Sequence, residues 1–391
     1  MTKKLIVCCD GTNNEIKENQ SNVLKFYRLI KKDWTDKELL AIDKDVLSTL
    51  EPQLAFYDAG VGTISNSSGW SRLKSKSKSV FGLATGLGLD QNVLDAYRFL
   101  VLNYVKGDKI CLFGFSRGAY TARVLAGFIH MIGLMKPEQV HLANYALTAY
   151  KQANDDNDDS IAYRFNEVLD TYRPSIEFMG CWDTVGSVIV PRADRMYLPS
   201  LEELPHVNDN TSVKCFRHAM AIDEQRTMFK VSLWKEGQIY KFLPFLSDEQ
   251  GGKQDVKQTW FAGVHSDIGG GYREEDSGLA KITLKWMVDE ARESGIQFRE
   301  TMVKRLVEGK NPAKATRTYC EPDPLAKMHN SMGPAWKFIE FIPKFGRRSG
   351  ADKKTWHLPR SERRYISEHS NIHESVKVRQ DNLDYDPSNL K

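Results

Sequence analysis

Residues 109–133 read KICLFGFSRGAYTARVLAGFIHMIG, and this stretch decides the fold. Lys109-Ile110-Cys111-Leu112-Phe113 is a short apolar run of the kind a buried strand requires. Ala119 to Gly133 has helical character and contains no proline. Between them lies Gly114-Phe115-Ser116-Arg117-Gly118, a G-x-S-x-G pattern. Strand, sharp turn and helix in that order lift a serine hydroxyl clear of the edge of a sheet. The glycines suit a tight turn whose helix packs closely on its strand. The bare pattern has little specificity, but this context makes Ser116 a candidate nucleophile rather than a structural turn.

Working outward, Leu5 to Cys9 predicts a first strand ending in the polar turn Asp10-Gly11-Thr12-Asn13-Asn14. A helix is expected over Asn22–Lys31 and a strand over Gln53–Tyr57. Asp90 to Val105 is amphipathic, with Val93, Tyr97, Leu100, Val101 and Tyr104 on one face. Residues 137–170 read as mostly helical, with an acidic turn at 155–159 that lacks the glycine and distal glutamate of a calcium loop. Strands are expected at Ile176–Trp182, Val213–Ile222 and Thr259–Val264, and a helix at Gly278–Glu293. Strands alternating with helices predict an α/β fold with a doubly wound, mainly parallel sheet and helical insertions. The division expected is a catalytic core over 1–300, with lid-like insertions near 60–88 and 186–212. A basic C-terminal extension over 301–391 packs on that core. The run Arg72, Lys74, Lys76, Lys78 in the first insertion reads as a solvated loop.

The 391 residues are 41% hydrophobic and 27% charged, an ordinary soluble composition. A net charge of +4 is too small to imply a nucleic-acid partner, and none is expected. Residues 300–391 carry 18 Lys+Arg against 12 Asp+Glu, so the basic excess sits in the tail. Six cysteines without a C-x-x-C pair or zinc-ligand spacing point to reduced thiols in a reducing compartment. No signal peptide and no stretch approaching 18 apolar residues is present, so cytoplasmic synthesis is expected, compatible with a secretion route that needs no signal.

A serine hydroxyl needs a base to take its proton and an acid to orient that base. Asp183, in Cys181-Trp182-Asp183-Thr184-Val185-Gly186, ends an apolar strand before a turn and is the candidate orienting carboxylate. His265, in Gly263-Val264-His265-Ser266-Asp267-Ile268-Gly269-Gly270-Gly271-Tyr272, ends another and is the candidate base, with the glycines read as a flexible turn. His130, His218, His369 and His373 fit less well. The chain order Ser, Asp, His is that of α/β-hydrolases. Asp267 is a secondary carboxylate candidate that more naturally holds its loop. An oxyanion hole would draw one N–H from Arg117 and another from the Gly11–Thr12 turn. Asp10 as a phosphatase-like nucleophile lacks the second aspartate two residues on, where Thr12 stands. A metal clustered by Asp10, Asp183 and Asp267 is a further minor alternative; no metal or cofactor is expected.

Several blocks together resemble the α/β-hydrolase domain family that includes the type VI secretion lipase effectors of family 1. They are Cys9-Asp10-Gly11-Thr12-Asn13, Gly86-Leu87-Gly88-Leu89-Asp90, residues 114–123, residues 182–186, residues 218–226, residues 260–272 and Ile372-His373-Glu374-Ser375-Val376. The resemblance implies a serine esterase core with Ser116, Asp183 and His265 as its triad, acting on phospholipid acyl esters. The partners implied are a lipid or other ester substrate and a peripheral contact with an anionic membrane. For that contact the sequence offers Phe338, Phe341, Ile342 and Phe345, with Pro343 expected to end any helix there. They are backed by Lys337, Lys344, Arg347, Arg348, Lys353, Lys354, Arg360, Arg363 and Arg364. Against that contact stands the expectation that the aromatics pack on the hydrolase core and the charges are solvated. The competing expectation is a binding or toxin-associated module with weak or no catalysis, acting through the basic C-terminal region.

Overall fold

Alternation along each strand feeds two cores. On β1 (Lys4–Cys9), Leu5, Val7 and Cys9 join one buried cluster while Ile6 and Cys8 join the other. A strand covered on both faces reads as a continuous apolar run, which is why KLIVCC carries no polar position inside it. The same holds for β3 (Lys109–Phe115), and for β4 (Ile176–Trp182) apart from Glu177, which pairs with Lys214. The computed structural model describes residues 2–11, 18–32, 51–60, 88–156, 160–186, 188–191, 199–202, 204–242, 246–347 and 354–390. Thr12, the basic run 72–78, part of the acidic turn 155–159, Arg348 and Lys353 lie outside them.

The remaining sheet strands are β2 (Gln53–Asp58), β5 (Val213–Ala221), β6 (Asp255–Phe261) and β7 (Asn371–Ile372). The order across the sheet is β7-β6-β5-β4-β3-β1-β2, and every neighbouring pair is parallel. The chain moves one way from β1 to β2 and then the other way from β3 onward. The winding therefore reverses between β1 and β3, where open α/β sheets place their ligands, beyond the carboxyl ends of the strands. Ser116 lies at that point.

Helices α2 (Leu89–Asn103), α3 (Arg117–Ile132), α4 (Ala143–Asp156) and α5 (Ser160–Leu169) cover one face of the sheet. The other face is covered by α1 (Asn22–Leu29), α7 (Gly278–Glu293) and α8 (Glu300–Leu306); α6 (His265–Gly269) is a single short turn between β6 and α7. Among the described residues no helix is long and apolar enough to cross a membrane. The cysteines Cys8, Cys9, Cys111, Cys181 and Cys215 are free thiols buried in strands. In the region expected to hold the second insertion, Val188–Pro191 pairs antiparallel with Pro199–Glu202.

The C-terminal residues do more than lie over the sheet. Asn371 and Ile372 extend it as its edge strand beside Thr259 and Trp260, and helix α10 (Glu374–Asn382) follows. Ile366 and Val376 bury against Met220, Ile222, Trp260 and Ala262 at the carboxyl ends of β5 and β6. Helix α9 (Pro334–Ile339) ends before Pro343, and Phe345 lies beyond it in a two-stranded hairpin, Lys344–Arg347 with Lys354–His357.

Candidate active site

The turn after β3 is strained and tightly held. Ser116 has φ 58° and ψ −124°, a left-handed conformation costly for a residue with a side chain, and it precedes the first residue of α3. Its N–H donates to Trp182 O (3.0 Å), continuing the β3–β4 ladder one residue past the strand. A Cβ on Gly118 would stand 2.2 Å from Cys9 O and 2.5 Å from Asp10 O, and one on Gly114 would stand 2.4 Å from Gly118 O. Both glycines are therefore required by close approach. The helix starts directly against the carboxyl end of β1, bringing the Asp10–Gly11 turn beside the serine.

Asp183 follows β4 with φ 39°, and its N–H donates to Ala219 O (2.7 Å). Its turn is braced by His218, fully buried on β5, whose Nε2 accepts the Thr184 N–H (3.0 Å). His265 does not end its strand as the sequence suggests: β6 stops at Phe261, and His265 begins the short helical turn α6 beyond it. The glycines behind it do not form a flexible loop. Gly269 packs so closely on Phe115 that a Cβ would fall within its ring, which fixes the turn on the strand that carries the serine.

These three side chains meet although 149 and 82 residues separate His265 from its partners. His265 Nε2 lies 2.8 Å from Ser116 Oγ, and His265 Nδ1 lies 2.5 Å from Asp183 Oδ2. His265 is 4% exposed, its ring between those of Phe115 (4.7 Å) and Phe229 (4.8 Å). Its backbone N–H donates to Glu224 Oε2 (3.2 Å), a buried carboxylate paired with Arg226. Burial pushes the imidazole pKa down, Asp183 pulls it up, and the net shift is downward. The ring is therefore neutral at neutral pH, the form in which a histidine can accept a proton.

Asp183 has a partner that spacing alone did not reveal. Arg364 donates Nη1 to Oδ1 (2.5 Å) and Nη2 to Oδ2 (2.9 Å), and its fork also reaches Ala221 O and Phe229 O. The Ala221 N–H adds a bond to Oδ1 (3.0 Å). Burial alone would raise the Asp183 pKa, but Arg364 and His265 outweigh it and hold the carboxyl well below the usual range. The sequence groups Arg364 with the basic residues of a membrane-facing tail; the structure instead buries it against Asp183, a position set by where residues 360–366 run.

The other candidates separate from this row. Asp267 accepts the Val264 N–H (3.1 Å) and binds His329 through Nδ1 (2.6 Å), so it ties its own loop to the C-terminal region. Burial raises its pKa. Asp10 is buried and takes hydrogen bonds from Tyr57 Oη (2.8 Å), Ser21 Oγ and the Gly11 N–H (2.7 Å), joining β1, β2 and the start of α1. Among the described residues no three His, Cys, Asp or Glu side chains are grouped so as to hold a metal. His130 pairs with Ser212 Oγ (2.6 Å) and His373 caps α10, both away from the serine.

The fold and this row define a parallel α/β protein with a serine, a histidine and an aspartate in hydrogen-bonded sequence at the carboxyl edge of its sheet. The chain belongs to the family described as T6SS, phospholipase effector Tle1-like, catalytic domain, which matches residues 3–290. It is 28% identical over 245 residues to the uncharacterized protein YEL023C of Saccharomyces cerevisiae, covering 58% of this chain and 32% of that protein. The chain thus spans about a third of the length of that relative. Among solved structures it is similar to an uncharacterized protein from Pseudomonas aeruginosa (19% identity, TM-score 0.39, 76% of this chain and 47% of that one). It is also similar to the Tle1 effector bound to the VgrG spike of the type 6 secretion system (18% identity, TM-score 0.32, 77% and 75%).

Proposed function

We propose that this chain is a serine hydrolase of carboxylic esters, with phospholipid acyl esters as its substrate class. The observation that carries the reading is the unbroken hydrogen-bonded row from Ser116 Oγ through His265 to Asp183. Ser116 Oγ attacks the acyl carbon while His265 Nε2 takes its proton. The tetrahedral intermediate collapses, and the imidazolium returns that proton to the leaving alcohol, a lysophospholipid for a diacyl substrate. Water, deprotonated by the same nitrogen, then releases the fatty acid and regenerates the serine. Asp183 holds Nδ1–H and stabilises the imidazolium formed in each half-reaction.

The oxyanion falls beside the start of α3, where the N–H of Arg117 and the helix dipole favour negative charge. The second donor comes from the Gly11–Thr12 turn. The Gly11 N–H is bonded to Asp10 Oδ1, so its use as a donor requires that bond to be shared or exchanged. No cofactor enters this chemistry. In this reading residues 1–300 form the catalytic core; the lid-like insertion expected near 60–88 falls almost wholly outside the described residues, as does part of that near 186–212. Residues 301–391 are an extension whose Arg364 completes the site. The phospholipid assignment draws on family membership, as does delivery by a secretion system that needs no signal peptide.

The test is covalent labelling and turnover. A fluorophosphonate probe should label the wild type at Ser116 and leave Ser116→Ala unlabelled. A short-chain nitrophenyl ester and phosphatidylcholine in detergent should both be hydrolysed, with losses on the order of 10⁴–10⁶ in the variant. An unlabelled wild type without esterase activity would instead assign the fold to a binding module.

A further inference from the structure

Helix α9 and the turn that follows it carry an apolar surface pointing away from the core, behind the wall of the site. Phe338, Phe341 and Ile342 are 73%, 64% and 46% exposed. Trp356 and Leu358 are also exposed on the chain that returns toward the same place. Side chains of this size in one segment exceed the scattered apolar exposure normal for a soluble surface.

The segment is firmly anchored, so its exposure is a fixed feature. Glu340, fully buried between Phe338 and Phe341, accepts the Thr227 N–H (2.9 Å), the Thr227 hydroxyl and the Ser361 N–H (3.3 Å). Its carbonyl accepts the Arg360 N–H (3.1 Å). The inward side chain Trp336 meets the Phe229 ring edge-on (5.5 Å), and Phe229 meets the His265 ring (4.8 Å). One element thus touches the wall of the candidate histidine and presents three large apolar side chains outward. Lys337 and Arg360 are exposed at its margin, and Lys344 and Arg347 follow in sequence.

We propose that this face, residues 337–342 with Trp356 and Leu358, seats the protein on an anionic phospholipid bilayer and holds the mouth of the site at that surface. This rests on the ester-hydrolase reading above, since a diacyl phospholipid is presented by a bilayer. Aromatic and aliphatic side chains bury at the headgroup–acyl boundary, and the basic rim meets anionic headgroups. A protein partner would bury the aromatics equally well, but it gives no reason for the basic margin or for the position beside the histidine.

The experiment uses the full chain, vesicles of phosphatidylcholine alone, and vesicles of phosphatidylcholine with phosphatidylglycerol. Co-sedimentation should be strong only with phosphatidylglycerol and should weaken as salt is raised. Phe338→Ser/Phe341→Ser/Ile342→Ser should lower vesicle partitioning and vesicle phospholipid turnover by at least about tenfold, because three apolar side chains no longer enter the bilayer. Hydrolysis of a soluble short-chain ester should stay within about twofold of wild type, since none of the three residues touches the row; this arm reports the catalytic reading separately. Binding of the triple variant equal to wild type overturns the proposal, as does equal binding to neutral vesicles or no binding to either. Self-association of wild type that the triple variant abolishes, without vesicle binding, would assign the face to a second copy and overturn it as well.

Discussion

Arg364 sets both Nη atoms of its guanidinium against the carboxylate of Asp183, at 2.5 and 2.9 Å, across 181 residues of chain. Both side chains are buried. The planar fork matches a carboxylate in a way that a lysine ammonium cannot, so it fixes the plane of Asp183 and therefore the oxygen offered to His265 Nδ1. Arg364 touches no reacting atom; in the proposed mechanism it is a positioning residue. It also lies beyond residues 3–290, the stretch matched to the family's catalytic domain.

Arg364→Gln is expected to lower kcat/KM by at least about tenfold, the effect of a misalignment costing about 1.4 kcal/mol in the transition state. The pH profile separates positioning from general loss of structure. Removing a cation beside Asp183 leaves the imidazolium of His265 better stabilised, so the acid limb of kcat/KM moves to higher pH. Arg364→Lys keeps the charge and should hold the limb in place while the rate still falls. Identical limbs in wild type and Arg364→Gln would leave Arg364 as packing only.

Asp183 and Asp267, two of the carboxylates near His265, have different partners and should respond differently. Asp183→Asn takes away the acceptor for Nδ1–H and should reduce turnover by about 10⁴. Asp267→Asn disturbs the Val264 and His329 contacts and should act mainly on stability, with a cost of about 1–3 kcal/mol for the buried groups it leaves unpaired. Denaturant unfolding beside steady-state kinetics tests both. A nearly active Asp183→Asn would reverse the assignment.

Wild-type activity should rise with pH as His265 loses its proton and then level off. Burial holds that proton loss below the ordinary imidazole value of about 6.5. The acid limb of kcat/KM for a soluble ester, which reports the free enzyme, should therefore fall below that value. Asp183 stays ionised throughout this range, because Arg364 and His265 keep its pKa lower still. A limb above the ordinary value would mean that burial is not the dominant influence on His265.

Gly118→Ala is expected to be destabilising as well as slow. The added methyl meets Cys9 O and Asp10 O at less than van der Waals distance, so α3 must shift away from β1. Overpacking of this kind costs about 1–3 kcal/mol, and the shift carries Ser116 away from His265. Thermal unfolding and ester turnover should fall together; unchanged values for both would show that the helix start has room to relax.

Much of the frame was legible because it depends on local pattern. Apolar runs such as Leu5–Cys9 and Ile176–Trp182 have few ways to bury both faces except inside a parallel sheet. The helix expected at Gly278–Glu293 coincides with that observed. Pro343 closes off the helical segment, and Phe345 beyond it pairs with Trp356 in a hairpin, a pairing that local spacing does not announce. His218 gave no sign of its bond to Thr184, because that bond joins neighbouring strands rather than neighbouring residues.

Sequence by itself determined the strand–turn–helix at Ser116 and the alternation of strands and helices. These follow from periodicity and from glycine where no Cβ fits, and both are written within a few residues of the feature they specify. Only the tertiary structure decided that residues 371–372 close the sheet, that Glu340 pins an apolar turn behind the histidine, and that Arg364 grips Asp183. Each depends on the path of a C-terminal segment across the carboxyl ends of β5 and β6. That path is set by burial of Ile366 and Val376 and by long-range hydrogen bonds. Contacts between groups far apart in the chain leave no local periodicity to read.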